Sequence, residues 1–554
     1  MDLFRKKSVD QLVSESTPLK RTLKTFDLTM LGIGAIIGTG IFVLTGKGAL
    51  TAGPALCVSF LLAAICCGFA GLCYAEFAAM APVSGSAYSY AYLAFGELIA
   101  FVIGWDLILE YALQAATVSA GWSGYFNKLL EGFGLHLPVE LTAAYGTTPG
   151  VTTYFNLPGF VIVLIITWVL SIGINQTKKT NDIMVMIKLA IIVLFIVCTV
   201  WYINPANWKP FSPYGIYTFQ PGSTQPYGIV PAASIVFFSF IGFDAVSSSA
   251  EETINPNKTL PRGILISLAV STVLYIVMTL IMTGVVPYKE FANFIDAPVA
   301  GVILETGLNW LAFVVNLGAL IGMTTVMLVQ LYGQSRICYA MSRDGLFPKF
   351  FGEVHPKYRT PFKGTWFFGI LTAIAGGFIN INVLFELVNI GTLSAFIIVS
   401  AGILWMRKTQ PDAHRGFRAP GVPFTPICAI IFCFILICGL NWETWVRFAI
   451  WFALGLIVYF VLDDGVGVLF HPAEMVASES LEVGAAVDKP HFVFAQPVDA
   501  VLRVVAVHDG DIVAFHVVQV AGGKCRDSGF ADATFLCCEC NEDFLTHSSI
   551  YFNC

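Results

Sequence analysis

The sequence contains few charged residues for its length. Charged residues make up 12% of the 554 residues, about half of the share that is typical of soluble domains, whereas hydrophobic residues make up 56%. Mean hydropathy is +0.76. A soluble fold of this composition could not cover its surface with polar groups, so we expect lipid to surround most of the chain. The composition therefore argues against soluble enzymes and against nucleic-acid-binding proteins.

The sequence also lacks the motifs that mark enzymes, ATP-driven pumps and metal sites. It contains no G-x-S-x-G, no H-E-x-x-H and no nucleotide-binding domain. Residues 40–48 resemble a phosphate-binding loop, but no Ser or Thr follows Lys47. The C-x-x-C sequence at 537–540 has no second, well-spaced pair, and the cysteines before residue 463 lie mostly inside apolar runs. We therefore predict a protein that is not an enzyme and has no cofactor, metal site or disulfide framework.

Long apolar runs are abundant in this sequence. Twelve of them, each of about 20 residues, are long enough to cross the hydrocarbon core of a bilayer. We therefore predict an all-α membrane protein with twelve transmembrane helices. The runs cover approximately 27–46, 54–80, 97–123, 157–174, 182–203, 229–250, 260–286, 310–340, 364–380, 384–405, 422–440 and 443–462.

Lys and Arg residues are distributed unevenly between the two sets of alternate loops. Nineteen lie in the N-terminal segment and in every second loop, and four lie in the opposite loops. Because basic loops stay on the cytoplasmic side, we predict that the N-terminal segment, residues 1–26, is cytoplasmic. An even number of helices then returns residue 463 to the cytoplasm.

The charge balance changes at about residue 462. Residues 463–554 contain four basic and 14 acidic residues, while the chain before them carries a net charge of +4. We therefore predict a membrane domain at 27–462 and a separate acidic, cysteine- and histidine-containing cytoplasmic tail at 463–554. Alternation of Val and Ala with polar residues over 501–520 predicts a few strands in this tail.

Two of the apolar runs are interrupted in the middle. The first has four glycines within residues 32–40, and the sixth has Gly242 followed by an acid, Asp244. These positions correspond if two five-helix repeats, at about 27–203 and 229–405, are followed by two extra helices at 422–462. Paired interruptions of this kind indicate the binding site of a transporter. Close packing of small residues is the alternative, but it does not explain the matched spacing.

A broken helix offers backbone groups that can bind a zwitterion. Backbone N–H groups freed at Gly38, Thr39 and Gly40 would begin a half-helix, where the positive end of the dipole suits a carboxylate. Carbonyl groups freed at the breaks could accept hydrogen bonds from an ammonium group. The predicted substrate-binding residues are Ile36, Gly38, Thr39, Gly40, Ile41, Phe238, Ser239 and Ile241.

Several segments together resemble one family. They are residues 29–42, 85–88, 104–111, 241–246, 251–256 and 339–345. In order and spacing they resemble bacterial amino acid permeases of the amino acid, polyamine and organocation superfamily, within the cationic amino acid transporter branch. The resemblance covers about residues 1–462. It implies a LeuT-type fold with a five-plus-five inverted repeat, substrate at the broken first and sixth helices, and coupled uptake across the plasma (cell inner) membrane.

The tail departs from the resembled family, which ordinarily ends with a short basic segment. The resemblance stops abruptly while the last predicted helix is finishing, near residue 462. We therefore interpret residues 463–554 as a frameshifted or fused end that is not native to the family. A small accessory domain is the alternative.

Lys188, Asp106 and Glu110 are ionisable residues inside the predicted spans. Lys188 is alone in the fifth span, where an intramembrane charge indicates a function unless its long side chain snorkels to the interface. The resemblance implies proton coupling, because proton-coupled family members carry a lysine here. Asp106 and Glu110 share one helix face at i, i+4. The resemblance places Glu110 near the substrate and Lys188, as the second coupling residue, and leaves Asp106 a structural role.

Three residues of the sixth span are predicted to close over the substrate or to support the second break. Phe238 matches the aromatic residue that closes over substrate in the resembled family, although a packing ring is the alternative in so Phe-rich a run. Gly242 would permit the break. Asp244 could either cap the freed N–H groups or contact the ligand, and the sequence leaves both open.

The eighth span is predicted to line the side-chain end of the pocket through Met327 and Gln330. It contains no carboxylate over 322–332, so we expect small neutral amino acids to be preferred.

The predicted function is import of amino acids by proton symport with alternating access. The expected partners are the amino acid substrate, the proton and lipid, and protein partners cannot be inferred from the sequence. A cationic amino acid transporter or an exchanger is the nearest alternative, and a channel or receptor is an alternative of another class.

Overall fold

The computed structural model describes residues 5–6, 21–83, 85–147, 152–173, 178–221, 225–358 and 360–466, and the backbone of three strands between 491 and 519. The part up to residue 466 is almost entirely helical. Its helices are α1 Thr25–Ile36, α2 Thr39–Phe42, α3 Leu44–Ala52, α4 Leu56–Met80, α5 Ser86–Ala94, α6 Glu97–Gly132, α7 Leu157–Ser171, α8 Lys178–Thr199, α9 Ile229–Val236, α10 Pro256–Val285, α11 Pro298–Glu305, α12 Asn309–Arg343, α13 Phe362–Phe378, α14 Ile381–Thr409, α15 Phe424–Cys438 and α16 Trp442–Val466.

Eight helical stretches within the described residues are long and apolar enough to cross a membrane. The all-α, multi-pass membrane class is therefore confirmed, whereas the number twelve and the LeuT-type repeat stay predictions. Three further apolar helices, α1, α7 and α15, are shorter than 18 residues. The eight stretches are Leu44–Met80, Glu97–Gly132, Asp182–Tyr202, Ile229–Ala250, Pro256–Val285, Asn309–Arg343, Ile381–Thr409 and Trp442–Phe460.

Some helix bounds differ from the apolar runs for identifiable reasons. The third run ends at about residue 123, but α6 continues to Gly132 through an amphipathic turn that pairs Lys128 with Glu131. The short helices α5 and α11 were not predicted because each has only eight or nine residues. Both are nevertheless buried, and α11 begins with a proline, which is a common helix-start residue.

Long helices pack in pairs at the centre of the structure. The pair α6 and α12 is antiparallel: Trp122 donates a hydrogen bond to the Thr324 hydroxyl, and Gln334 donates one to the carbonyl of Ile108, which lies farther back along α6. Elsewhere, close approach depends on glycine. A Cβ atom on Gly263 of α10 would lie 2.7 Å from the Cβ of Leu28 in α1. Such small-residue contacts drive helix association where no hydrophobic effect operates between lipid-solvated helices.

Outward-facing side chains are large and apolar. On α8, Ile183, Met186 and Val197 are more than half exposed, as are Ile450 and Ile457 on α16. In water these side chains would form an unfavourable surface, but in a bilayer they contact lipid tails. The helices with the most exposed faces therefore lie at the lipid boundary.

A buried ion cluster joins three elements at one end of the helices. The carboxylate of Glu76, near the end of α4, is 1% exposed. It accepts hydrogen bonds from the Arg407 Nε and Nη2 atoms at 2.8 and 2.7 Å, and from the Ala419 N–H at 2.8 Å. Arg415 lies 3.2 Å from the same carboxylate. The cluster thus ties α4 to the end of α14 and to the loop before α15.

The C-terminal unit, residues 471–554, is separate from the unit formed by residues 1–470. It contains three antiparallel strands in the order β3–β4–β5, namely β3 His491–Phe494, β4 Val501–His508 and β5 Asp511–Gln519. Strands β4 and β5 coincide with the alternating stretch at 501–520. A two-stranded ribbon, β1 Thr218–Phe219 and β2 Pro226–Tyr227, precedes α9. The C-x-x-C sequence at 537–540 lies outside the described residues.

We predict that Glu76→Gln destabilises the membrane domain by about 3 kcal/mol, because it leaves the buried guanidinium group of Arg415 and the partly exposed one of Arg407 without their counter-charge. Thermal unfolding of the detergent-solubilised protein measures this change. The matched control is Glu443→Gln, which breaks an exposed i, i+4 pair with Arg447 and should change stability by about 0.5 kcal/mol or less. Equal shifts for the two variants would contradict a structural role for the buried cluster.

Candidate functional site

The first helix break lies between α1 and α2. Helix α1 ends at Ile36, Ile37 is extended, and Gly38 has φ −159° and ψ −135°. Within the described residues, the backbone N–H group of Gly38 donates no hydrogen bond to another backbone group. Thr39 and Gly40 are the first two residues of α2, whose N–H groups have no acceptor within that helix. Three donors therefore stand together at the start of α2, inside the protein. This is the arrangement that a carboxylate group can bind.

The second break follows α9. A turn of 3-10 helix, Phe237–Phe240, precedes the interruption, and a second 3-10 segment, Asp244–Glu252, follows it. Gly242 has φ +116°, a conformation that only glycine adopts readily. Its N–H donates to Asp244 Oδ1 at 3.2 Å, and the Tyr111 hydroxyl lies 3.4 Å from Asp244 Oδ2. Of the two roles left open for Asp244, the structure shows the capping contact.

The two breaks touch each other. A Cβ atom on Gly40 would lie 2.5 Å from the Cβ of Ser239 and closer still to its Cα. The hydroxyl of Tyr275, on α10, lies 3.1 Å from the Ile36 carbonyl oxygen and 2.8 Å from the Ser239 carbonyl oxygen. Tyr275 was missed by the sequence analysis. The available signal was a lone phenol in an apolar helix, because a buried tyrosine hydroxyl normally has a hydrogen-bond partner.

Lys188 reaches the first break from α8. Its side chain is fully buried, and the ammonium group donates hydrogen bonds of 2.8 Å to each of the carbonyl oxygens of Gly34 and Ile37. A third carbonyl oxygen, that of Gly322 on α12, lies 3.5 Å away. The ammonium group therefore points inward to the break, and it does not extend to the membrane interface as a snorkelling lysine would.

Glu110, on α6, is buried, and the charges of Asp244 and Asp106 act on it. Among the described residues, Lys188 forms no hydrogen bond or ion pair with a carboxylate, so no direct contact joins it to Glu110 in this conformation. The coupling role of Glu110 stays a prediction.

Asp106 has no hydrogen-bond partner in the described part of the chain. Both of its carboxyl oxygens are buried. A Cβ atom on Gly391 of α14 would lie 2.6 Å from Asp106 Oδ1, so the side chain packs directly against that helix. The structural role predicted for Asp106 stays a prediction.

The predicted pocket residues lie on α12, which reaches the first break through Val326. A Cβ atom on Gly38 would lie 2.9 Å from the Val326 side chain. Met327 and Gln330 are fully buried, and neither polar atom of the Gln330 amide has a partner within the described residues. The pocket role of Met327 and Gln330 stays a prediction.

Further unpaired hydroxyl groups lie on the breaks themselves. Thr39 Oγ1 and Ser239 Oγ are buried and have no hydrogen-bond partner in the described residues. Phe238 is 3% exposed. The two remaining predicted residues, Ile41 on α2 and Ile241 at the second break, are also buried. The breaks thus combine unpaired N–H donors and hydroxyl groups with an apolar wall, which suits a small polar ligand that has an apolar part.

We predict that Gly40→Val abolishes binding of an α-amino acid, because its side chain would overlap the backbone of Ser239 and force the two breaks apart. Equilibrium binding of a radiolabelled amino acid to the solubilised protein measures the effect. The matched control is Gly68→Val on α4, since a Cβ atom on Gly68 has no heavy atom within 4 Å. Undiminished binding by the Gly40 variant would remove the site assignment.

Comparison with known proteins gives consistent matches. The family model for amino acid permeases matches residues 23–462. The chain is 54% identical over 462 residues to the branched-chain amino acid permease BcaP of Bacillus subtilis (strain 168), covering 83% of this chain and 97% of that protein. It is 47% identical over 462 residues to the methylthioribose transporter of the same strain, with the same coverage. It is 35% identical over 416 residues to the vacuolar cationic amino acid transporter 4 of Arabidopsis thaliana, covering 74% of this chain and 68% of that protein.

The matched region includes both helix breaks, Lys188 and the pocket residues of α12. The resemblance identified from the sequence segments is therefore confirmed. All three relatives are named as permeases or transporters. The chain belongs to the amino acid permease family, within the amino acid, polyamine and organocation superfamily, and it is a membrane transporter rather than an enzyme.

Proposed function

We propose that this permease imports neutral amino acids across the plasma membrane by proton symport, with alternating access to a site at the two helix breaks. The substrate carboxylate binds the N–H groups of Gly38, Thr39 and Gly40. The substrate ammonium group binds carbonyl oxygens of the breaks, which have a second lone pair available beside the hydrogen bond from Tyr275. The N- and C-termini are cytoplasmic in this proposal, as the distribution of basic loops indicates.

The proposal of proton coupling rests on the environment of Lys188. A fully buried ammonium group is held by two neutral carbonyl oxygens of the first break, and no carboxylate in the described residues forms an ion pair with it. In related folds, carbonyl groups at such breaks coordinate the coupling ion. The lysine ammonium group occupies that kind of position in this permease, so sodium is dispensable.

Loss of the proton from Lys188 changes the substrate site directly. The neutral amine keeps two N–H donors, but its hydrogen bonds to the carbonyl oxygens of Gly34 and Ile37 are no longer charge-assisted, so both weaken. Because Ile37 immediately precedes Gly38, this change acts on the segment that binds the substrate carboxylate. Glu110, beside Asp244, serves as a second proton-carrying group at the other break.

The preferred substrates are small and neutral. Helix α12 presents Met327 and Gln330 to the pocket and no carboxylate over 322–332. A cationic side chain would therefore lose its hydration without gaining a counter-charge from this helix. Branched-chain amino acids are the second candidate, because BcaP of Bacillus subtilis is named for them and the surrounding residues Ile41 and Val326 are apolar.

We predict that Lys188→Ala stops pH-driven accumulation of substrate in sodium-free proteoliposomes, because no other ammonium group can replace it at the first break. Exchange of labelled for unlabelled substrate should survive if the breaks still bind the ligand. Lys209→Ala, which removes an exposed lysine, is the control and should accumulate like the parent protein. Uptake that requires sodium and ignores the pH gradient would refute the proposed coupling.

We predict that alanine, serine and glycine compete for uptake more strongly than arginine or lysine, because the pocket lacks an anionic partner for a cationic side chain. A competition panel in proteoliposomes measures this order and includes leucine, isoleucine, valine and methylthioribose. Dominance of leucine, isoleucine and valine would favour the second candidate, and dominance of arginine would reverse the proposed preference. Counterflow in the same vesicles distinguishes a carrier from a channel or receptor.

A further inference from the structure

A cavity of about 350 Å³ lies outside the proposed substrate site, between the beginning of α3 and the last turns of α6. None of the predicted substrate-binding residues lines it. Its inner wall includes Val43 and Gly121, and a Cβ atom on Gly121 would lie 2.7 Å from the Thr39 side chain. The cavity is therefore separated from the first break by a single layer of side chains. Its volume falls in the range of small-molecule sites.

Lys47 supplies a cation to this cavity. Its ammonium group donates one hydrogen bond, of 2.8 Å, to Asn382 Oδ1 and lies 4.8 Å from the ring centre of Phe385. The carboxylate whose charge acts on Lys47, that of Glu386, accepts hydrogen bonds from Asn441 and Thr444. Within the described residues Lys47 forms no ion pair. An ammonium group has three donors, so two remain for a ligand.

Asp296 supplies an anion to the same cavity. Among the described residues its carboxylate accepts no hydrogen bond, although it lines the cavity. Burial raises the pKa of the Asp296 carboxyl, and the charge of Lys128 opposes this effect. Lys128 is itself paired with Glu131 at 2.9 Å. Asp296 is therefore available to a cation that enters the cavity.

Two neutral hydrogen-bond acceptors also line the cavity. Asn127 Oδ1 and Thr147 Oγ1 are buried, line the cavity and have no hydrogen-bond partner in the described residues. One available cation and one available anion in a single cavity match a ligand that carries both charges. A ligand with only one charge would leave either Lys47 or Asp296 uncompensated.

We propose that this cavity is a second, outer binding site for a zwitterionic amino acid, whose carboxylate binds Lys47 and whose ammonium group binds Asp296. Asn127 and Thr147 accept further hydrogen bonds from the ammonium group. The ligand class follows from the charges of the cavity itself, so the outer site is independent of the assignment of the site at the breaks. A ligand held here lies one layer of side chains from the substrate site.

The test measures equilibrium binding of radiolabelled L-alanine and L-leucine to the solubilised full chain. The parent protein should bind two molecules per chain, and Gly40→Val, which blocks the site at the breaks, should bind one. In that variant, Lys47→Met or Asp296→Asn should weaken the remaining binding at least tenfold, because each removes a charge-assisted hydrogen bond. Lys47→Arg should retain binding.

Two controls separate a built site from general charge effects. Arg447→Gln removes a cation outside the cavity and should leave the outer binding unchanged. Leucinol, which lacks the carboxylate, and 4-methylpentanoate, which lacks the ammonium group, should each compete for the outer site at least tenfold more weakly than leucine.

Several outcomes would overturn the outer site. The first is that a folded Gly40→Val variant binds no amino acid. The second is that binding at the outer site survives both Lys47→Met and Asp296→Asn. The third is that the parent protein binds one molecule per chain and that neither of these two substitutions affects this binding. If Gly40→Val does not fold, the same substitutions in the parent protein should reduce two bound molecules to one. If the parent binds one molecule and loses it through Lys47→Met but not Gly40→Val, the outer site is supported and the assignment at the breaks fails.

Discussion

The hydrocarbon core of a bilayer contains no water, so every backbone group that a broken helix exposes there needs a partner inside the protein. This constraint shapes both breaks of the permease. At the first, the carbonyl oxygens of Gly34 and Ile37 accept hydrogen bonds from Lys188. Between the breaks, the Tyr275 hydroxyl contacts one carbonyl of each, and at the second break the Asp244 carboxylate accepts a hydrogen bond from the N–H of Gly242. The breaks are therefore maintained by side chains from neighbouring helices.

The groups that these partners leave unsatisfied define the ligand. Acceptors at the breaks are largely paired, whereas the N–H groups of residues 38–40 and the hydroxyls of Thr39 and Ser239 are not. A buried polar group without a partner costs about 1–3 kcal/mol. The proposed site is thus polar, buried and incompletely bonded, and a ligand carboxylate would supply acceptors for these donors. The same reasoning applies to the unpaired Gln330 amide on the side-chain end of the pocket.

Local features of the site could be predicted from the sequence, and contacts between helices could not. The glycines of residues 32–40 mark the first break because a broken helix needs them nearby in the chain. Lys188 is conspicuous because a charge in an apolar run is rare. Its partners are backbone carbonyls, however, which have no sequence signature, and the i, i+4 spacing relates Glu110 to Asp106 without fixing which break it approaches. Tyr275 lies on a third helix, so only tertiary packing reveals that it joins the two breaks.

In the proposed mechanism, protonation of Lys188 and ligand binding act on the same short segment, so the two equilibria are coupled. Lys188 donates a hydrogen bond to the carbonyl of Ile37, and the next residue, Gly38, supplies one of the N–H groups proposed to bind the ligand carboxylate. If the charged lysine stabilises the geometry of residues 37–38, it raises the affinity for the ligand. By linkage, the bound ligand must then raise the affinity of Lys188 for its proton by the same factor. In this mechanism, a two-residue interruption held by one ammonium group makes the proton and the substrate bind together.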